Sequence, residues 1–153
     1  MASEIVIKRL YDYEIVCGTM NALWGDVSED GTERYIPDLL NEIWLGLFCE
    51  NEYIGMYRFE SLGSVLLRGH VFMLPEKRKY SLDGGHAVMK WLCENTQFNK
   101  IIVHIPECFP NVINFVKKLG MLEQGYNSGS FKKNGEIIGV FEYGLSRGNL
   151  KWV

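Results

Sequence analysis

Several patterns that would classify a chain at sight are missing here. The four cysteines, Cys17, Cys49, Cys93 and Cys108, form no CxxC pair. Zinc-ribbon and dithiol redox chemistry therefore have no support, and no metal is expected. The cysteines read as buried free thiols in a reducing compartment. No stretch approaches the ~20 apolar residues that span a membrane. The opening Met-Ala-Ser-Glu lacks the basic start of a secretory leader, so a cytoplasmic location is expected. There is no basic block either: 16 Lys and Arg face 19 Asp and Glu, for a net charge of -3. A protein that grips phosphate backbones would show a cationic patch, so nucleic acid is not an expected partner. Internal repeats, linkers and low-complexity segments are absent as well.

What is present is the composition of a folded domain. Apolar residues make up 47% and aromatics 13% of the 153 residues. A chain of that size buries roughly 70% of its unfolded surface, enough to fold without staples. One domain over residues 1–153 is the expectation.

Ile5 to Leu10 alternates like a strand, and Asp12 can cap a helix to about Leu23. Trp24 to Gly31 reads as a polar loop, with a second short helix from Thr32, broken or restarted at Pro37. Ile43–Cys49, Tyr53–Glu60 and Val65–Leu74 read as three consecutive strands joined by turns at 50–52 and 61–64. Leu82–Asn95 has helical spacing, with Ser81 or Asp83 as N-cap. Lys100–Ile105 is a continuous apolar run, which suits a buried parallel strand. Pro110–Leu119 is a helix with Pro in its first turn and Gly120 past its end. Met121–Phe131 and Glu136–Leu145 are strands joined through Asn134-Gly135, a strong hairpin signal. The order predicts an α/β (α+β) domain, a mixed sheet with helices on both faces.

That order, with two local motifs, resembles the Gcn5-related N-acetyltransferase (GNAT) superfamily. Asn111 to Met121, NVINFVKKLGM, is similar to the family's Asn-x7-Leu-Gly-Phe helix, and Glu123, Gly125 and Glu142 match its closing hairpin. Leu74 to Gly85, LPEKRKYSLDGG, stands where the family has Pro-x-x-Arg-Gly-x-Gly-x-Gly/Ala. Pro75 and Arg78 match, but Lys79, Ser81 and Asp83 occupy the small positions. Within the superfamily the chain looks most like small acetyltransferase-like proteins of tailed phages, some labelled head-assembly proteins, which would put it in a host's cytoplasm.

The resemblance implies a mostly antiparallel sheet with a central, splayed parallel strand pair that holds acetyl-CoA as co-substrate. Met73 and Leu74 would meet the pantetheine arm. Arg78, Lys79, Tyr80 and Ser81 would meet the pyrophosphate, and Asn111 the arm from the other side. Asp83 would repel that anion. His70 is the candidate general base, since imidazole takes a proton near neutral pH; a half-buried structural histidine is the alternative. His104 and Tyr126 are candidates for the acceptor side, and His86 reads as a surface or packing residue. The acidic loop Ser28-Glu29-Asp30 could draw a cationic acceptor or simply be solvated.

The family often places a tyrosine four residues before the Gly of Leu-Gly-Phe, as acid for the departing thiolate. Here that position is Val116, with Phe115 beside it; Tyr126 or a water would have to substitute. No cysteine sits in a nucleophile setting, so direct attack in a ternary complex is the expected route. Two functions follow. One is acetyl transfer to a small-molecule or peptide amine; the other is a non-catalytic GNAT-fold module that binds a protein partner in assembly.

Overall fold

Seven apolar-rich segments pair into one sheet: β1 (Ile5–Arg9), β2 (Ile43–Cys49), β3 (Glu52–Ser61), β4 (Leu66–Met73), β5 (Lys100–Pro106), β6 (Leu122–Lys133) and β7 (Glu136–Ser146). Their spatial order is β1-β2-β3-β4-β5-β7-β6. The computed structural model describes residues 4–150. Every neighbouring pair is antiparallel except β4 and β5. That pair is parallel only over Leu66↔Lys100, Leu67↔Ile101 and Arg68↔Ile102, and then the strands part. The expected splayed pair is present.

Helix α1 (Tyr13–Val27) lies on one face, and α2 (Ser81–Asn95) and α3 (Pro110–Lys118) on the other. Val16, Met20 and Leu23 of α1 pack with Trp44, Met56 and Phe72. Val88, Met89 and Leu92 of α2 and Val116 of α3 pack with Leu45, Leu47, Tyr57, Phe59 and Ile101. Alternate residues of one strand thus serve two cores. Among the described residues no helix is long and apolar enough to cross a membrane.

The hairpin turns follow from backbone chemistry. Glu50 and Asn51 (φ 52° and 66°), and Asn134 and Gly135 (φ 52° and 82°), each make a two-residue turn with positive φ, the twist that antiparallel neighbours require.

Four expectations need correction. Helix α1 continues through Trp24-Gly25-Asp26 to Val27. Trp24 is held edge-on to Tyr35, and its indole N–H donates to the Thr32 carbonyl. No helix starts at Thr32, because the Asp38 carboxylate captures the Leu40 and Asn41 amides in a local turn. Neither Ser81 nor Asp83 caps α2; the helix is entered from a 3₁₀ segment, Pro75–Tyr80, with Tyr80 at the N-cap and no side-chain bond. The cysteines are not uniformly buried: Cys49 is, Cys17 and Cys93 are intermediate and Cys108 is exposed.

Candidate active site at the strand split

Beyond Arg68 and Ile102 the two central strands no longer pair, so backbone groups there lack a sheet partner across the gap. The Leu74 amide donates to Ile54 and Val65 accepts from Lys100. Strand alternation then turns the backbone of Val71 and Met73 towards the split. Of the pair expected to meet the pantetheine arm, Met73 presents its main chain there, while the Leu74 amide is engaged with β3.

On the α1 face the split carries charge. Arg68, His70 and Phe72 share one side of β4, and Phe72 sits in the α1 core. His70 Nε2 lies 2.9 Å from Glu60 Oε1, the same oxygen that takes Arg68 Nε at 2.8 Å. Arg58, paired with His70 across β3 and β4, has Nη1 3.6 Å from Glu60 and donates Nε to Glu42 Oε2 at 3.0 Å. A second Arg58 nitrogen, Nη2, bonds the same Glu42 oxygen. The guanidinium sits 4.1 Å from the Tyr35 ring centre, and the Trp44 indole donates to Glu42.

Burial would raise the Glu60 pKa. The hydrogen bonds from Arg68 and His70, with the Arg58 charge, outweigh it and hold the value at about 2. Glu60 is thus an ionised acceptor, so His70 Nε2 carries the proton and Nδ1 keeps its lone pair. Burial lowers the pKa of His70 below the ordinary 6.5, and the bond to Glu60 offsets this only in part.

Extending the register from Arg68↔Ile102 by two puts His104 opposite His70, on the same face of the other lip. His104 Nε2 lies 3.0 Å from Glu142 Oε1, its cross-strand neighbour on β7. Each lip therefore bears an imidazole–carboxylate pair. Tyr126 does not join them. It sits in the row of Phe141, one residue off the row of Glu142 and so on the opposite face. Its hydroxyl donates to Glu107 at 2.7 Å, and this bond raises its pKa.

The acidic loop is engaged rather than free. Asp30 accepts from the Asn134 and Gly135 amides at 3.0 and 2.9 Å, and Glu29 from the Lys132 amide. Lys133 reaches back to the Gly25 and Ser28 carbonyls. Shifts of register in β6 between Asn127 and Phe131 bend the hairpin. Its tip thereby joins the α1 end on one side of the split to β6–β7 on the other.

On the α2/α3 face the split opens into an apolar cleft of about 20 Å³. Gly69 and Val71 of β4, Ile101 and Val103 of β5, and Phe115 and Val116 of α3 line it, with Tyr57 on its β3 side. Gly69 leaves room for the Phe59 ring, from which a Cβ would lie only 2.9 Å. A larger cavity, about 280 Å³, lies around the β3–β4 turn and the C-terminal end of α2, away from the split.

The segment expected to cradle pyrophosphate is wound into the 3₁₀ turn. Arg78 and Lys79 are exposed on it, Lys79 lies over the Tyr80 ring, and the Ser81 amide is bonded to the Arg78 carbonyl. The glycines after Asp83 serve packing: a Cβ at Gly84 would lie 2.7 Å from Leu47, and one at Gly85 2.8 Å from Leu119. Asn111 is exposed in the first turn of α3. Sequence reasoning missed Glu42, Arg58 and Glu60. They had a signal, charges inside or beside apolar strands, with Arg58 and Glu60 two apart on one face.

Residues 13–152 match the family described as "Protein of unknown function (DUF2824)". No curated protein sequence matches. Among solved structures, the spermidine N-acetyltransferase of Vibrio cholerae in complex with CoA and spermine is similar. Its TM-score is 0.77 at 12% identity, over 95% of this chain and 97% of that one. Mutant forms of the spermidine/spermine N-acetyltransferase from that organism give 0.79 at 12% identity, over 95% of each chain. A GNAT-family acetyltransferase of Streptococcus pneumoniae gives 0.75 at 10% identity, over 94% of this chain and 99% of that one. The fold is therefore that of the GNAT acetyltransferases.

Proposed function

We propose that this chain, which belongs to the DUF2824 family, transfers an acetyl group from acetyl-CoA to an amine by direct attack. The observation that carries this reading is the His70–Glu60 pair on the lip of the split, where burial lowers the imidazole pKa. His70 takes a proton from the acceptor ammonium, directly or through a water. The freed amine attacks the thioester carbon, the C–S bond breaks and the thiolate leaves with its electron pair; the second proton lost from the nitrogen passes to that thiolate through water, giving the amide and free thiol. His104 and Glu142 across the split give an amine a second polar wall. Amines such as the spermine named with a structural neighbour are the first acceptors to try.

The chain's fit to acetyl-CoA is mixed. The inward-turned backbone of Val71 and Met73 suits an extended arm, while the apolar cleft beneath, at about 20 Å³, is too small to take one. Arg78 and Lys79 offer charge to phosphates, with Tyr80 and Ser81 beside them and Asn111 at the start of α3. Asp83 and the bonded amides of the 3₁₀ turn weaken the phosphate cradle. Weak binding is therefore part of the reading.

The test is a thermal-shift titration with acetyl-CoA, followed by release of free thiol across polyamines, small amines and peptide N-termini. A concentration-dependent rise in Tm and slow thiol release with at least one amine class are expected. No shift at millimolar acetyl-CoA and no release with any acceptor would overturn acetyl transfer and favour an assembly module.

A further inference from the structure

The charges around His70 are not equally spent. The Arg58 side chain is 11% exposed and gives Nε and Nη2 to Glu42. That of Arg68 is 34% exposed and gives only Nε, to Glu60 Oε1 at 2.8 Å. Its Nη1 and Nη2 bond nothing among the described residues and are not buried, so both are open to solvent. The same holds for His70 Nδ1 and for Glu60 Oε2, since Glu60 makes all its contacts on this lip through Oε1.

These open groups stand together at the split. Arg68 lies in the last paired row of β4 and β5, and His70 is the next residue along the same face. Arg68 Nε and His70 Nε2 meet one Glu60 oxygen, at 2.8 and 2.9 Å, so guanidinium and imidazole lie within a few ångströms of each other. A polycation docking here would bring several positive charges against Arg68, with Arg58 behind it. Two free Nη groups in the fixed plane of a guanidinium instead match a carboxylate.

We propose that the acceptor is an amine that also bears a carboxylate, such as a free amino acid. Arg68 takes the carboxylate through its two Nη groups, which places the amine beside His70 Nδ1 and Glu60 Oε2. The proposal rests on the acetyl-transfer reading above and narrows its substrate class. Arg68 is thus a specificity residue, and proton removal from the amine stays with His70.

The test measures thiol release by the whole chain from acetyl-CoA with alanine, leucine and β-alanine, each against its carboxamide, and with spermine. Wild type should favour the reacting acids over their carboxamides by about tenfold to hundredfold in kcat/KM, although the carboxamide amine is the less basic and loses its proton more readily. Spermine should be the poorest acceptor. Arg68→Gln should lower kcat/KM for the acids by about tenfold to hundredfold and leave the carboxamides within about threefold of wild type. Any disturbance of His70 falls on both acceptors alike, so their ratio isolates the carboxylate contact. Arg68→Lys, which keeps the charge without the planar fork, should retain part of the preference.

Carboxamides or spermine reacting as well as the acids in wild type would overturn the proposal. So would equal losses for acid and carboxamide in Arg68→Gln, which would make Arg68 structural. Should that variant fail to fold, the wild-type ratio of acid to carboxamide decides alone. Thiol release with amines that lack a carboxylate, and with none of the acids, would remove this proposal and leave acetyl transfer standing. No thermal shift with acetyl-CoA and no release with any acceptor would remove the acetyl-transfer reading, and the proposal with it.

Discussion

The two faces of the sheet treat the same strand split in opposite ways. On the α1 face, Glu42, Glu60, Arg58, Arg68 and His70 form a connected set in which almost every charge is answered. On the α2/α3 face the split meets an apolar cleft. The sheet thus separates charged, hydrogen-bonded surroundings from apolar ones. An acyl transferase needs both, a polar side where an ammonium can lose its proton and a dry side where a thioester can be held.

The contrast can be broken at its polar end first. His70→Ala should lower kcat/KM by about 10²–10⁴ while leaving acetyl-CoA binding intact, as measured by thiol release and thermal shift. The pH profile sharpens the point. The His70 pKa lies below 6.5 in the folded protein, so activity should be level at neutrality and fall only below pH 6.5. Glu60→Gln removes the group that raises that pKa and leaves two guanidiniums that lower it, so the acid limb should move to still lower pH. A limb that moves up would refute this arrangement. Glu60 also couples pH to stability. Its folded pKa of about 2 is below the unfolded value near 4.5, so its contribution is present above pH 4.5 and is lost as pH falls towards 2.

Next in size is Arg58→Ala. The Arg58 side chain is 11% exposed and that of Glu42 16%, so truncation strands a largely buried carboxylate and empties the space against Tyr35 and Trp44. A loss of about 3 kcal/mol is expected in denaturant melts. Gly85→Ala tests the dry face: its Cβ would press on Leu119 and Phe115, costing about 1–2 kcal/mol without shifting the pH profile. The smallest effect belongs to Asp83→Asn. Removing one exposed negative charge from the first turn of α2 should tighten CoA binding about twofold to threefold, and added salt should erase the gain.

Much of the fold was legible because the period-two runs and the two hairpin turns each have one backbone solution. The parallel pair was legible because Lys100–Ile105 is a nearly continuous apolar run. The end of α1 was not: Gly25-Asp26 looks like loop, and the contacts that hold the last turn come from Thr32 and Tyr35, outside any local window. The segment after Thr32 failed for the converse reason, a local carboxylate outcompeting the helix for its amides. At the site, His70 and His104 stood out because histidine is rare here and both lie in strands. Their partners did not, since an acid such as Glu60 gains meaning only when a register brings it opposite an imidazole.

The clamp between residues 28–30 and the hairpin tip has a temporal consequence. Its bonds join segments more than a hundred residues apart in the chain, Asn134 to Asp30 being separated by 104. Such a contact forms late in folding, after the intervening sheet has shortened the loop. It rests on exposed side chains, and its bonds share a few residues, so they make and break together. The amides of Asn134 and Gly135 therefore form a clock: their hydrogen-exchange rates report how often the two sides of the split come apart while the sheet beneath stays whole.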